Sequence, residues 1–415
     1  MKKLLILGAF PQMIDIIATA RGMGICVYVA DQNADAPAMR FADVALPIST
    51  ARVDTLASLC KSEGIDGIFT GFEDFNIHIA EELCRRTSLP FYATREQLET
   101  ITSKVAFKDA CRRHGVRVIE EYTLEEALAE GKYPYIVKPA DSYGSRGITV
   151  CHHENELRDG YEKARLSSRT ASVIIERFLD TDHGCELFYT LVNGHIHLTV
   201  SADRYTVRDG DTTVPLPVAE VFPSRHRDAL VKALDAPIRR MLTEMGLRDG
   251  LVLVQALYDE RDGEEAFFVY EMAYRLTGEQ HYRLFERQNG VRLGEMMIRL
   301  ALGEDISSFD TPLLDDTAWT RPAINLAMIL KEGTLRTLSG LEQVFRLDEV
   351  LYYNLTHKAG DRIFASGDYS HMLIRLGMVG EDYEALKSAV RRAGELVRAE
   401  DEDGRDLLVS RFVLP

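Results

Sequence analysis

At 415 residues with 46% hydrophobic content, the chain can bury a large core and is long enough for about two to four folded units. A formal net charge of −16 argues against nucleic acid or an anionic membrane as a partner, because both are held by clustered Lys and Arg. The six cysteines, Cys26, Cys60, Cys84, Cys111, Cys151 and Cys185, stand far apart with no C-x-x-C pair, which suggests neither a zinc ribbon nor a disulfide framework and makes a reducing cytoplasm the expected compartment.

The N-terminus, MKKLLILGAF, starts like a signal peptide, but its apolar run ends at Gly8 and no A-x-A site follows. Leu4–Leu7 is therefore a predicted buried strand. A helix over Met13–Arg21, a strand at Cys26–Ala30, a helix near Val53–Glu63, a strand at Ile65–Thr70 and a helix over Ile77–Arg86 follow. This βαβαβα order predicts a parallel sheet with helices on both faces. The first turn, Gly8-Ala9-Phe10-Pro11, is not G-x-G-x-x-G, so no dinucleotide site is read here. Ligands of such sheets sit beyond the carboxyl ends of the strands, which puts Gly8, Asp31 and Thr70-Gly71-Phe72-Glu73-Asp74 at a crevice. Acidic Glu73 and Asp74 could hold an amine there, or could simply open the next helix as favourable first-turn charges. No run approaches the roughly 18 to 20 apolar residues of a membrane span.

Thr102 and Ser103 are candidate caps for a helix that ends at Gly115. Lys104 and Lys108 share one face of it, a pattern that usually means a solvated surface. Thr123-Leu-Glu-Glu126 has capping-box spacing and opens another helix. The stretch Tyr133–Val150, YPYIVKPADSYGSRGITV, reads as two strands joined by 139–147, with Lys138 closing the first. Its loop holds Ser142, Gly144, Ser145, Arg146 and Gly147, so backbone N–H groups can approach an anion closely. A flap over phosphate has this composition, and so does an ordinary solvated hairpin.

Ser172–Leu179, SVIIERFL, is an apolar run ending in Glu176, Phe178 and Leu179. A strand from Glu186 turns at Asn193-Gly194 into His195–Val200, with sheet structure continuing to about Arg204. Pro215-Leu-Pro217 and Pro223-Ser224 predict a loop, and His226–Gly246 a long helix. Leu251–Tyr258 and Ala266–Arg275 form a predicted antiparallel hairpin. With its loop centred on Gly263, Gln255 faces Glu271, and strict alternation puts Glu271, Ala273 and Arg275 on the face of Phe267 and Val269. A glutamate in an apolar strand calls for a partner, either a cation or Arg275 at a frayed edge. Beyond Pro322, strands near Ala323–Leu330, Glu349–Asn354 and Met372–Gly377, a turn at Ser366-Gly367 and a helix over Asp382–Val397 form a mixed segment with no assignable chemical cluster.

In this order and spacing the parts resemble the ATP-grasp superfamily over nearly the whole chain, in particular L-amino-acid ligases and the carbamoyl-phosphate synthase branch. The resemblance implies an α/β fold, α+β in the C-terminal half. It divides the chain into a parallel-sheet pre-grasp domain (1–94), a linker helix (95–112), a lid domain (113–180), a central antiparallel-sheet domain with the metal site (181–320) and a C-terminal subdomain (321–415).

Carried over by residue, Lys104 and Lys138 match the lysines that contact the phosphates of ATP, and 142–147, with Ser142, Gly144, Ser145 and Gly147, match the loop that closes on them. Glu176, Phe178 and Leu179 match the hinge that holds adenine, and Glu186 a ribose contact. Gln255 and Glu271 match the Mg²⁺ ligands, with Mn²⁺ as the alternative ion. Arg275 matches the arginine that steadies the reacting oxygens, so Lys138 and Arg275 are the catalytic candidates. Glu73, Arg204, Arg275 and His281 are the substrate candidates. The family usually has Glu at the place of Gln255 and Asn at that of Ala273, which leaves Glu271 as the one charged ligand. The activity implied is an ATP-dependent carboxylate–amine ligase that makes an amide or peptide bond through an acyl phosphate and releases ADP and phosphate. Its partners would be a small carboxylate and an amine, with a homodimer in keeping with many family members. A carboxyphosphate-type carboxylase and a non-catalytic ATP-binding module are the other readings.

Overall fold

The computed structural model describes residues 1–141, 147–179, 183–208, 216–261, 264–315, 319–364 and 369–415. At the N-terminus, β1 (Lys3–Leu7), α1 (Met13–Gly22), β2 (Cys26–Ala30), β3 (Val44–Leu46), α2 (Val53–Glu63), β4 (Gly67–Phe69) and α3 (Asp74–Thr87) build the expected parallel sheet in the order β3-β2-β1-β4. Leu4 to Leu7 are all fully buried, as both faces of such a sheet are covered. The first turn is held by Asp31, whose carboxylate accepts the Ala9 N–H at 2.9 Å.

Two helices, α4 (Arg95–Thr102) and α5 (Lys104–His114), stand where one linker helix was expected. Ser103 ends the first and caps the second by accepting the Ala106 N–H, and Gly115 closes α5 in a left-handed conformation. The second sheet contains β5 (Glu121–Tyr122), β6 (Tyr135–Pro139), β7 (Thr149–Cys151) and β8 (Val173–Arg177), in the order β5-β8-β6-β7, with α6 (Leu124–Glu130) and α7 (Glu154–Ser167) beside it. The predicted capping box at Thr123 and Glu126 forms.

The rest of the chain is organised by one sheet of eight strands. Its first strands are β9 (His183–Val192), β10 (His195–Val207) and β11 (Leu216–Phe222), followed by α8 (Arg227–Glu244), β12 (Gly250–Arg261), β13 (Glu264–Tyr274), α9 (His281–Asn289), α10 (Leu293–Ala301) and β14 (Ala323–Ile329). Two small pairs, β15 (Gly333–Thr334) with β18 (Arg362–Ile363) and β16 (Thr337–Ser339) with β20 (Arg398–Glu400), flank α11 (Leu341–Phe345), β17 (Val350–Leu355), β19 (Met372–Val379) and α12 (Tyr383–Leu396). The sheet order is β13-β12-β9-β10-β11-β14-β19-β17, so strands from 181–320 and from 321–415 share one continuous sheet. One face packs on α5 and α8, and the other on α1, α9, α10 and the first sheet. Among the described residues no helix is long and apolar enough to cross a membrane.

Two sequence expectations fail here, each for a local reason. Residues 216–222 form a buried strand where the prolines predict a loop. Pro217 is tolerated because Val218 is an extra residue at a bulge, between the pairs Thr206 with Pro217 and Tyr205 with Ala219, and β14 pairs only with 219–222. On β13, Gln255 does face Glu271, but Ala256 faces Val269, which makes Tyr270 the extra residue of a second bulge. That residue reverses the alternation. Phe267 and Val269 share a face with Met272 and Tyr274 against α5 and α8, while Glu271, Ala273 and Arg275 turn the opposite way. The proposed hairpin centre, Gly263, and the Ser366-Gly367 turn lie outside the described residues.

Candidate active site

Strand register assembles the site. Glu186 on β9 faces Gln255 on β12, and Gln255 faces Glu271 on β13. On the other side, Gly184 faces Arg204 on β10, Arg204 faces Glu220 on β11, and Glu220 faces Asn325 on β14. Residues directly opposite share a face, so a row of polar side chains crosses six strands on the face turned toward the first sheet. Asn325 accepts from Arg375 Nη1 at 2.7 Å. Gly377, which faces Asn325, leaves room for the Tyr352 ring, since a Cβ there would lie 2.1 Å from it.

The segment after β13 lies over this row and ties it to the first sheet. Arg275 Nε donates to Asp74 Oδ1 at 2.5 Å, and the Phe72 N–H donates to Leu276 O at 2.8 Å. The carbonyl of Glu279 accepts from Asn325 Nδ2 at 2.8 Å and from Tyr352 OH at 2.9 Å. Its carboxylate stands 3.8 Å from Arg375 Nη2. Burial alone would raise Glu279, but Arg375 and His281 hold it below the usual carboxylate range. His281, 2% exposed, lies 3.6 Å from Glu220 Oε2. Burial alone would lower it, and Glu220, Glu279 and Glu186 hold it higher than an ordinary histidine.

Glu186 is 1% exposed. It accepts from Gln255 Nε2 at 2.7 Å and lies 3.6 Å from Arg204 Nε. Burial, and then the charge of Glu220, push its carboxyl up to about 7. Enclosed in this way, it is a neighbour of the metal candidate Gln255. Gln255 itself accepts from Tyr270 OH at 3.2 Å. Glu271 lies open to the cleft. Burial and the charge of Asp74 raise it, against Arg204, Arg275 and Lys104, whose charges all reach it.

Lys138 approaches from the second sheet, and Lys104 and Lys108 from α5. Lys138 Nζ, at the end of β6, lies 2.5 Å from Glu176 Oε2. Lys108 reaches the other oxygen of Glu176 and also donates to Glu121 at 2.7 Å. The expected solvated helix face is therefore wrong for Lys108, which is 2% exposed. Burial, Lys108 and Lys104 push Lys138 down to about 7, and the charges of Glu121 and Glu271 oppose them. Burial also lowers Lys104, against Glu271 and Asp141. Lys104, Lys138 and Glu271 thus act on one another across a single cleft.

Other candidates keep local duties. Glu176 serves as the shared counter-ion of two lysines, and the Phe178 N–H donates to Pro134 O at 3.1 Å, so that amide is already used within the lid. Leu179 packs with Ile119 and Phe268 where the lid meets β13. Glu73 caps α3, accepting from Phe75 N and Asn76 N, and the neighbouring Asp74 is the acid that meets Arg275. Gly147 makes a tight turn at φ +77, with Ser167 and Pro139 against it. Ser142, Gly144 and Ser145, with Arg146, lie outside the described residues. The sequence reading missed Lys108, Glu220, Glu279, Asn325, Tyr352 and Arg375. A charge inside an apolar strand, as in VAEVF and MLIRLGMV, was the available signal for Glu220 and Arg375.

Residues 103–309 match the family described as carbamoyl-phosphate synthase L chain, ATP binding domain. The solved L-amino acid ligase from Bacillus licheniformis superposes with a TM-score of 0.76 at 18% identity, covering 97% of this chain and 99% of that one. The chain has the ATP-grasp fold. Biotin carboxylase 1 of Bacillus subtilis (strain 168) is 25% identical over 342 residues, which is 74% of this chain and 71% of that one. The biotin carboxylase domain of 2-oxoglutarate carboxylase from Hydrogenobacter thermophilus, solved with MgADP and bicarbonate, has a TM-score of 0.76 at 18% identity over 96% of this chain and 90% of that one. The relatives and neighbours named here are ligases and carboxylases, which supports an enzyme.

Proposed function

We propose that this ATP-grasp chain is a carboxylate–amine ligase that forms an amide or peptide bond through an acyl phosphate, releasing ADP and phosphate. What supports the reading is that the charges of Lys104, Lys138 and Glu271 reach one another, with Arg275 held against Asp74 and Arg375 against Glu279. Lysines suit a polyphosphate, and alternating guanidinium and carboxylate groups suit a substrate that carries both charges, such as an amino acid.

The oxygen donors fit a hard cation. Glu271 offers an open carboxylate beside the phosphate-binding lysines, and Gln255 a carbonyl one strand away. Bound there, Mg²⁺ or Mn²⁺ would offset the charge of the phosphates. In this reading Lys104 and Lys138 hold the phosphates while a substrate carboxylate attacks the γ-phosphate in line. Arg275 leaves Asp74 and steadies the oxyanion when the amine attacks the acyl carbon. The lid keeps water from the acyl phosphate.

Phosphate release with ATP and Mg²⁺ should require a carboxylate and an amine together. Formation of AMP and pyrophosphate would end the proposal. Glu271→Ala should lower ADP formation at least about 100-fold with an unchanged melting temperature. A carboxyphosphate-type reaction is the second reading, favoured by the biotin carboxylase relative, and bicarbonate-stimulated ADP release without an amine would select it.

A further inference from the structure

On the face of the large sheet turned away from the cleft, three ligand-type side chains meet outside the site described above. His183 and Cys185 lie two residues apart on β9, and Asp203 on β10 faces Cys185. All three are buried, at 7%, 0% and 2% exposure. Their ligand atoms lie within 4.8 Å of one another. Cys185 Sγ is 3.8 Å from Asp203 Oδ1, and His183 Nε2 is 3.4 Å from the same oxygen.

The His183–Asp203 separation is long for a charge-assisted hydrogen bond, which runs about 2.7–2.9 Å. The two distances to Asp203 Oδ1, 3.4 and 3.8 Å, are close to the edges of a tetrahedron, about 3.3–3.6 Å, around an ion held at about 2.0–2.1 Å by N and O and about 2.3 Å by S. The carboxylate is oriented from behind, as ligand carboxylates usually are. Ser224 Oγ donates to Oδ1 at 2.6 Å and the Arg225 N–H to Oδ2 at 3.0 Å. The Tyr205 ring stacks on His183 at 4.9 Å with an interplanar angle of 2°.

We propose that His183, Cys185 and Asp203 form a three-ligand site for one zinc-class divalent ion, with its fourth position left to a water molecule. The donor set separates it from the oxygen-lined cleft, since a thiolate and an imidazole select zinc-class ions over Mg²⁺. On binding, the Cys185 thiol gives its proton to solvent and the sulfur–metal bond replaces S–H. The ion would join β9 and β10 to the start of α8, with Glu186 next along β9 on the opposite face.

The test uses the full chain, freed of metal with a chelator and then titrated with Co²⁺ and Zn²⁺. One equivalent of Co²⁺ should give a thiolate-to-cobalt absorption band that Zn²⁺ abolishes, and zinc should be retained at about one per chain through gel filtration. Cys185→Ser should remove the band, and His183→Asn should weaken zinc retention at least tenfold. Cys151→Ser should keep both, and so should Glu271→Gln, which removes the carboxylate in the cleft. Absence of a band in the unaltered chain at excess Co²⁺ overturns the proposal whether or not the variants fold, and so does a band that survives Cys185→Ser.

Discussion

Glu176 is one carboxylate shared by two lysines, Lys108 and Lys138, so it cannot neutralise both. Burial, with the charges of Lys108 and Lys104 beside it, pushes Lys138 down to about 7, which leaves it largely neutral in the free protein at pH 8, and a bound polyphosphate favours its charged form. ATP binding at pH 8 should take up close to one proton per chain, and affinity should fall above pH 7 by at most about tenfold per pH unit. Calorimetry in buffers of different ionisation heats measures the uptake, and Lys138→Met should abolish it. Proton release on binding would detach Lys138 from the phosphates. Glu186 gives the opposite kind of signal. Its carboxyl is raised from 4.5 to about 7, so the folded chain holds a proton that the unfolded chain has lost. The resulting stability penalty is absent below the unfolded value, grows as pH rises from there to about 7, and is complete above it. Glu186→Gln should stabilise the fold by about 1–3 kcal/mol at pH 8 and by far less at pH 5, read from denaturant midpoints at both values. An equal effect at both would mean that the carboxylate is solvated.

At the scale of strands and helices, the row of polar side chains depends on small residues and on bulges. Ala at Gly377 would put a Cβ 2.1 Å from the Tyr352 ring, so the ring must leave and its hydrogen bond to Glu279 O is lost. Gly377→Ala should cost about 1–3 kcal/mol by overpacking, and adding Tyr352→Leu should recover part of that loss. Wild-type stability in the single variant would mean that the ring does not lie across the glycine. Elements signalled by periodicity and caps were legible in the sequence: the parallel sheet, α5 between Ser103 and Gly115, the Asn193-Gly194 turn, and the pairing of Gln255 with Glu271. What alternation could not supply was a bulge. One unpaired residue, Tyr270, turns the rest of β13 over, and another, Val218, lets a strand contain Pro217. Neither changes composition or period enough to be seen without the partner strand. Lys108 was hidden for a related reason, because a lysine one helical turn from another looks solvated until Glu121 and Glu176 close over it.

The largest core does not respect the division suggested by the chain order. It joins Leu4, Ile6 and Ile16 of the N-terminal unit to Phe188, Leu253, Phe285 and Met297 of the large sheet and its helices. Periodicity marks which residues face inward but not which unit they face, so the sequence showed separate segments where the folded chain has a shared interior. Gly67 lies at a tight point of the join. A Cβ on it would lie 2.2 Å from the Ala301 carbonyl at the end of α10, and that contact is with backbone, which cannot swing aside as a side chain can. The single tryptophan, Trp319, reports from the far side of the same core, with its ring 5.7 Å from Phe222 and 5.9 Å from Phe285. If the two sheets unfold as one body, Trp319 fluorescence and far-ultraviolet circular dichroism should share a denaturant midpoint. Gly67→Ala should then lower both midpoints together, although residue 67 does not touch Trp319. A fluorescence midpoint that stays in place while part of the dichroism signal moves would show that the first sheet melts alone, and that Asp74 can leave Arg275 without cost to the large sheet.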